Sequence, residues 1–336
     1  MITLSVMIPT RNRSSLLRKL LESLKKQTCS QDEFEIIIVD NGSTDETKTV
    51  AETFFSEFKH IKYFFEEKPG LHEGRHRGLK ESSSDILVYC DDDIEPLPTW
   101  LEAKKESFKD PDVVLVGGKN LPKWESVPPK WIKDWYEEGN SNGKCLGSLS
   151  ILDFGDEFIE IDPNYIWGCN FSIRKQTLID AGGFHPDSMP EELKFFRGDG
   201  ESHVTRWIKE KGLKAVYNPQ GSVFHFVPRS RMTLDYFKKR SFNQGISDSF
   251  SYMREKDKVL LKPVKREPFS LRQFIRYYYL MVFKDESFDY IQKCIQKSYF
   301  KGINEHFKKC KKDQKLSEWV MSEKWIHLGG NFERVL

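Results

Sequence analysis

The chain has 336 residues, enough for one large α/β domain with a smaller module or for two domains. Its 53 basic residues nearly balance 51 acidic ones, and a formal charge of +2 provides no general basic field for nucleic acid. The longest apolar run, 277–283, falls far short of the roughly 20 residues that span a bilayer.

The six cysteines, Cys29, Cys90, Cys145, Cys169, Cys294 and Cys310, form no C-x-x-C pair, which disfavours zinc or a disulfide scaffold and favours a reducing cytosol. Residues 1–8 lack a basic region and a cleavage site, so they read as a first core strand rather than a leader. Residues 4–8 form that strand, and Leu16, Leu17, Leu20, Leu21 and Leu24 mark the helix after it, capped by Ser14 or Ser15. A second strand over 34–39 ends in the turn residues Asp40-Asn41-Gly42-Ser43. Thr44 and Asp45 then open a helix carrying Val50, Ala51, Phe54, Phe55 and Phe58. Strands follow at 61–65, 86–90 and 113–116, with a short basic helix over 75–80 and another helix behind Thr99. This alternation predicts a mostly parallel, doubly covered sheet. Residues 118–165, rich in Trp, Pro, Gly and Asn, read as a lid or binding loop. Order resumes over 167–173, in a helix closed by Gly182-Gly183, in a helix over 201–211, and in strands at 215–217 and 223–227. From Thr233 onward the pattern is helical, basic and aromatic.

The chemistry concentrates at strand tips. Asp91-Asp92-Asp93 directly follows an apolar strand, and adjacent carboxylates repel unless a cation shares their charge. Ligands of open α/β sheets bind beyond the carboxyl ends of the strands, so the triplet points to a divalent metal and an anionic ligand. Pro9-Thr10-Arg11-Asn12-Arg13 offers backbone amides and a guanidinium for an anion or nucleotide, or is a solvated loop. Asp40 either accepts a base N–H or belongs to an ordinary turn. In 70–78, small residues allow close backbone approach while Arg75 or Arg77 meets phosphate; the alternative is an exposed basic helix.

Together, and in this order, these segments resemble the family 2 glycosyltransferases of GT-A fold: Pro9-Thr10-Arg11-Asn12-Arg13, then 36–45, then Gly70-Leu71 with Arg75 and Gly78, then 87–93. The likeness is specific over 4–117 and looser to about 245, where Gly168-Cys169-Asn170 and Gly182-Gly183-Phe184 look like the acceptor-side strand and helix. The resemblance implies a Rossmann-like, mostly parallel α/β domain over 1–245, with a nucleotide-sugar half (1–117) and an acceptor half (118–245). A helical region, 246–336, lies outside it. It further implies a metal-dependent inverting transferase that moves a sugar from a nucleoside-diphosphate sugar, UDP-sugar favoured, to a saccharide or lipid-linked acceptor. Asp93 would hold Mn2+ or Mg2+, with Asp91 and His225 as further ligands, and an imidazole ligand would favour Mn2+. Asp91 and Asp92 would also face the donor, Asp40 and Asn41 the base, Pro9, Thr10 and Arg11 the pocket wall, and Gly70 and Arg75 the diphosphate. Trp167 and Asn170 would sit on the acceptor side.

The general base would come from Gly198-Asp199-Gly200-Glu201. The family usually has Glu-Asp where this chain has Glu201-Ser202, which leaves Glu201, at the helix start, or Asp199. His76 stands where the family commonly has Asn, with Arg77 as the fallback to Arg75. Trp124, Trp131, Trp135 and Tyr136 either stack on sugar faces or pack in the core. The tail pairs Phe269, Phe274, Tyr277, Tyr278, Leu280, Met281 and Phe283 with Arg272, Arg276 and Lys284, and then sets Lys293, Lys297, Lys301, Lys308, Lys309, Lys311 and Lys312 among Ile295, Tyr299, Phe300 and Phe307. Such helices lie on an anionic membrane, as a peripheral cytoplasmic-face protein would, or pack on the catalytic domain or on a second copy. The competing functions are a sugar nucleotidyltransferase, disfavoured because no glycine-rich loop follows the first strand, and an inactive nucleotide-sugar-binding scaffold.

Overall fold

The computed structural model describes residues 2–255, 288–323 and 325. Strands β1 (Leu4–Thr10) and β2 (Phe34–Asp40) are buried along their whole length, as central strands covered on both faces must be. They pair in parallel with each other and with β3 (Ile61–Phe65) and β4 (Ile86–Tyr89), in spatial order β4-β1-β2-β3. Alternate residues feed two cores. Leu4, Val6 and Ile8 pack with α1 (Ser14–Leu24), α2 (Thr47–Thr53) and α4 (Trp100–Ser107). Met7, Ile37 and Val39 pack with α3 (Leu71–Glu81), α6 (Lys175–Asp180) and α7 (Ser202–Glu210). Helix α2 starts later than the sequence pattern suggests, because the Asp45 carboxylate accepts from the Thr47 and Ser14 amides and holds a turn there. Helix α3 starts earlier, at Leu71, behind Gly70 with φ +116°.

Beyond β4 the sheet turns mixed. Strand β11 (Phe171–Arg174) inserts antiparallel between β4 and β6 (Val113–Gly117), and β12 (Lys214–Tyr217) and β10 (Ile159–Glu160) complete that edge. A second sheet takes the order β5 (Ile94–Pro96), β13 (Val223–Val227), β7 (Asn120–Trp124), β9 (Ile151–Asp153), β8 (Lys144–Leu146). The expected lid over 118–165 therefore contributes three short strands, β7, β8 and β9, to this second sheet, with α5 (Lys130–Glu138) and connecting turns between them. Among its aromatic residues, Trp131 and Trp135 of α5 pack 4.9 and 5.8 Å from the Phe237 ring and also line a cavity of about 400 Å3.

The C-terminal helices are docked on the domain. Helix α8 (Leu234–Arg254) lies against α9 (Phe288–Cys310), and the expected boundary at residue 245 falls inside α8. Two glycines set the closeness of that crossing. A Cβ at Gly245 would lie 2.2 Å from Tyr299 O, and one at Gly302 2.1 Å from Phe242 O. Beyond it, α10 (Gln314–Met321) brings Trp319 and Trp325 onto Phe250 and Phe196, and Trp319 Nε1 donates to Phe196 O at 2.9 Å. Lys309 sits over the Phe195 ring. The tail residues Phe269 to Lys284 named above lie outside the described residues. No described helix is long and apolar enough to cross a membrane.

Candidate active site

Parallel pairing brings the strand tips level. Thr10 pairs with Asp40, and β4 delivers Asp91, Asp92 and Asp93 beside them. The triplet walls a cavity of about 310 Å3 together with Pro9, Thr10, Arg11, Arg13, Asn41 and Arg231. Thr10 Oγ1 donates to Asp92 Oδ2, and Arg13 Nη1 to Asp92 Oδ1, each at 2.7 Å. Arg13 Nη1 and Arg231 Nη2 both reach Asp93 Oδ2 at 3.1 Å. Burial pushes Asp92 up to about 6 and raises Asp91 as well. Around Asp93 burial is outweighed by His225, Arg231 and Arg13, which hold its carboxyl well below the usual range. Of the three, only Asp93 is shifted down.

Asp93 also has a buried oxygen without a donor. Its Oδ1 accepts no hydrogen bond and lies 3.3 Å from His225 Nε2 on β13. With Oδ2 occupied by two arginines, this facing oxygen and imidazole nitrogen suit a divalent ion, and the nitrogen suits Mn2+ better than Mg2+. Asp91 does not join that pair; its Oδ1 lies 3.7 Å from Arg75 Nη2. Elsewhere, Cys29, Glu33 and Glu102 also come close together, but Lys105 already bridges the two carboxylates at 3.1 and 3.0 Å.

A second cavity, about 300 Å3, shares Leu71, Asp91, Ser188 and Arg231 with the first. Glu201 opens into it from the N-terminal end of α7, accepting from Arg75 Nη1 at 3.1 Å and from the Gly168 amide at 3.2 Å. Arg75 is buried between Glu201 and Asp91 and stacks on Phe184, its guanidinium 5.0 Å from the ring centre. Gly168 is needed where it stands, because a Cβ would lie 2.1 Å from Arg75 Nη2.

Several expected placements change. Asp199 does not reach either cavity: His185 Nδ1 meets its Oδ1 at 2.5 Å, while Ser251 Oγ at 2.6 Å and Arg206 take Oδ2. Burial alone would raise Asp199, yet His185, Arg206 and Ser251 hold it below the usual carboxylate range. A saturated, buried carboxylate is a poor proton acceptor, and of the two acidic residues only Glu201 lines a cavity. Asp40 is buried too, accepting from Tyr63 OH at 2.6 Å and the Ser43 amide at 2.7 Å, and it lines neither cavity. Its neighbour Asn41 does line the first cavity, while its amide donates to Lys68 O at 2.6 Å and fixes the following loop.

Asn170 is interior: it accepts from Trp100 Nε1 at 2.9 Å and donates to Gly221 O at 3.0 Å. Trp167 donates to Asn164 O and packs against the core, leaving Gly168 and Cys169 to line the acceptor-side cavity. Gly70 shapes the start of α3 and lines neither cavity, and Arg75 lines the second cavity and not the first. Arg77 points elsewhere, paired with Glu81 at 2.9 Å and placed over Phe64. Two arginines were not singled out from the sequence: Arg13, at the end of the first motif, and Arg231, in the basic turn six residues beyond His225.

The sequence model of a family described as Glycosyl transferase family 2 matches residues 5–176. The chain is 25% identical over 228 residues to glucosyl-dolichyl phosphate glucuronosyltransferase of Haloferax volcanii, covering 68% of this chain and 69% of that protein. It is 36% identical over 216 residues to GalNAc(5)-diNAcBac-PP-undecaprenol beta-1,3-glucosyltransferase of Campylobacter jejuni, covering 64% of this chain and 61% of that protein. Among solved structures, the fold is similar to that of the mannosyltransferase PcManGT from Pyrobaculum calidifontis in complex with GDP-Man and Mn2+. The TM-score is 0.55 at 16% identity, over 95% of this chain and 83% of that chain.

Proposed function

Because the chain belongs to glycosyl transferase family 2, we propose that it moves a sugar from a nucleoside-diphosphate sugar, a UDP-sugar in the favoured case, to a hydroxyl of a saccharide or lipid-linked saccharide. The observation that carries this reading is the pair of joined cavities, one walled by the aspartate triplet and the other by Glu201, meeting at Asp91 and Arg231. Pro9, Thr10, Arg11 and Asn41 face the nucleotide, and Arg13 and Arg231 face its diphosphate. A divalent ion held by Asp93 and His225 would supply Lewis-acid stabilisation of the leaving diphosphate.

Glu201 takes the acceptor hydroxyl proton while the acceptor oxygen bonds to the anomeric carbon. The carbon–oxygen bond to the diphosphate breaks on the opposite side, so the configuration inverts and the nucleoside diphosphate leaves with the electron pair. Arg75 donates to Glu201 and holds the carboxylate in one orientation. A lipid-linked acceptor would bring the chain to a membrane surface, with the exposed lysines Lys301 and Lys308 of α9 available to it.

The test is nucleoside-diphosphate release from a panel of UDP-, GDP- and dTDP-sugars, with Mn2+, with Mg2+ and with a chelator. One donor should turn over, the chelator should stop it, and Mn2+ should restore it. Groups that merely orient a metal's ligands are worth about 10–100-fold, so loss of a direct ligand in Asp93→Ala should lower turnover by roughly 100-fold or more. Neither binding nor turnover of any sugar nucleotide would sink the reading.

A further inference from the structure

Helix α8 turns a stripe of hydrogen-bond donors toward the acceptor-side cavity. Tyr236, Lys239, Arg240 and Asn243 all line it, and their spacing is that of one helical face. The groups are lightly engaged. Tyr236 OH meets Ser148 O only at 3.5 Å, and Arg240 reaches Gln244 Oε1 only at 3.5 Å, with no ion pair among the described residues, although its charge acts on Asp187 together with those of Arg197 and Arg75. Lys239 pairs with Glu191 at 3.1 Å, but both side chains are at least 60% exposed, and such pairs contribute little.

Charge separates the two cavities. The donor side sets three arginines against three aspartates, whereas the acceptor side has five cationic side chains against three carboxylates among the described residues. On the acceptor side Arg75 is matched by Glu201 and Asp91, and Arg197 by Asp187. Arg231 is spent on Asp93. The surplus therefore falls on Lys239 and Arg240, in the second turn of α8.

We infer that the acceptor is itself an anion, a sugar carrying a phosphate ester whose charge is seated on Lys239 and Arg240 of α8. This rests on the transfer reading above and deepens it. A phenol, an ammonium, a guanidinium and an amide reaching one space from a single wall can each find an oxygen on a phosphate. A carboxylate, with two oxygens in one plane, leaves part of that set unused. The ester is borne either by a lipid or by a free sugar phosphate.

Calorimetry separates these cases. The full chain, loaded with Mn2+ and the nucleoside diphosphate of the donor identified by the panel, is titrated with glucose 1-phosphate, farnesyl phosphate, glucuronate and methyl glucoside. At least one phosphate should bind ten times more tightly than either glucuronate or methyl glucoside. Stronger farnesyl phosphate binding assigns the ester to a lipid, and stronger glucose 1-phosphate binding to a free sugar phosphate. The double variant Lys239→Gln/Arg240→Gln, and Arg240→Gln alone as the milder change, should lose most of that preference. Three results would overturn the inference: equal binding of methyl glucoside and both phosphates, tighter binding of glucuronate, or an unchanged preference in the double variant. Failure to bind any nucleoside diphosphate would instead strike the transfer reading, so the two failures are distinguishable.

Discussion

The two cavities of this molecule, proposed above as the donor and acceptor sides, are built by different means. On the donor side, Thr10 and the aspartate triplet stand at the ends of neighbouring parallel strands, and strand register alone brings them together. On the acceptor side, Glu201 is held by Arg75, 126 residues earlier, by Gly168, 33 residues earlier, and in a cavity completed by α8. A parallel sheet turns sequence order into spatial order at its carboxyl edge. The acceptor side has no such rule and depends on packing between distant segments.

The sharpest way to break this comparison is to disable one half and read the other. Glu201→Gln should reduce sugar transfer by about a thousandfold, within the usual range for a general base, while nucleoside-diphosphate affinity stays within about twofold. Steady-state transfer measured beside calorimetry checks it, and a parallel fall in both would mean that the halves are not separable. Gly168→Ala should be milder. The added Cβ displaces the Arg75 guanidinium, and loss of orientation at Glu201 should cost transfer about 10–100-fold with donor affinity preserved. Rescue by Arg75→Lys in the Gly168→Ala background would place the effect in that contact.

The smallest effect at neutral pH is on stability, and it tests whether the acceptor half is the acid-labile one. Burial holds His185, beside Asp199, and His306, on α9, at about 4, although for each a polar partner acts in the opposite sense. The unfolded chain takes up these protons near pH 6.5 and the folded chain only near 4, so stability falls as pH drops through that window. For His306 the loss is on the order of 3 kcal/mol. Thermal unfolding followed by tryptophan signal should show a falling midpoint from pH 6.5 to 4. His306→Asn should flatten the fall. A midpoint independent of pH across that range would show that these imidazoles are not shielded.

The same contrast governs what could be read in advance. The triplet, the Thr10 motif and the first four strands were legible because each is a local pattern repeated along one sheet edge. Of the second sheet only β13 was legible, since β8 and β9 have three residues each and are too short for alternation to register. Asp40 illustrates the limit within the donor half: its tie to Tyr63 OH runs across β2 and β3, and only strand register reveals that the carboxylate is already spent. Asp199 and Glu201 are two residues apart with opposite fates, because Ser251 and Arg206 capture one and Arg75 the other. Trp167 and Asn170 were drawn inward by Trp100 and the Gly147 and Tyr217 neighbourhood, contacts that no local spacing encodes.

The glycine crossing of α8 and α9 has a consequence for how this fold can diversify. Gly245 locks α8 to its partner helix by backbone proximity, while the residues offered to the acceptor occupy other positions of the same helix, at 236, 239, 240 and 243. Anchorage and recognition are thus written in separate positions of one rod. Substituting the cavity stripe retunes what the helix selects, and the scaffold that presents it stays put.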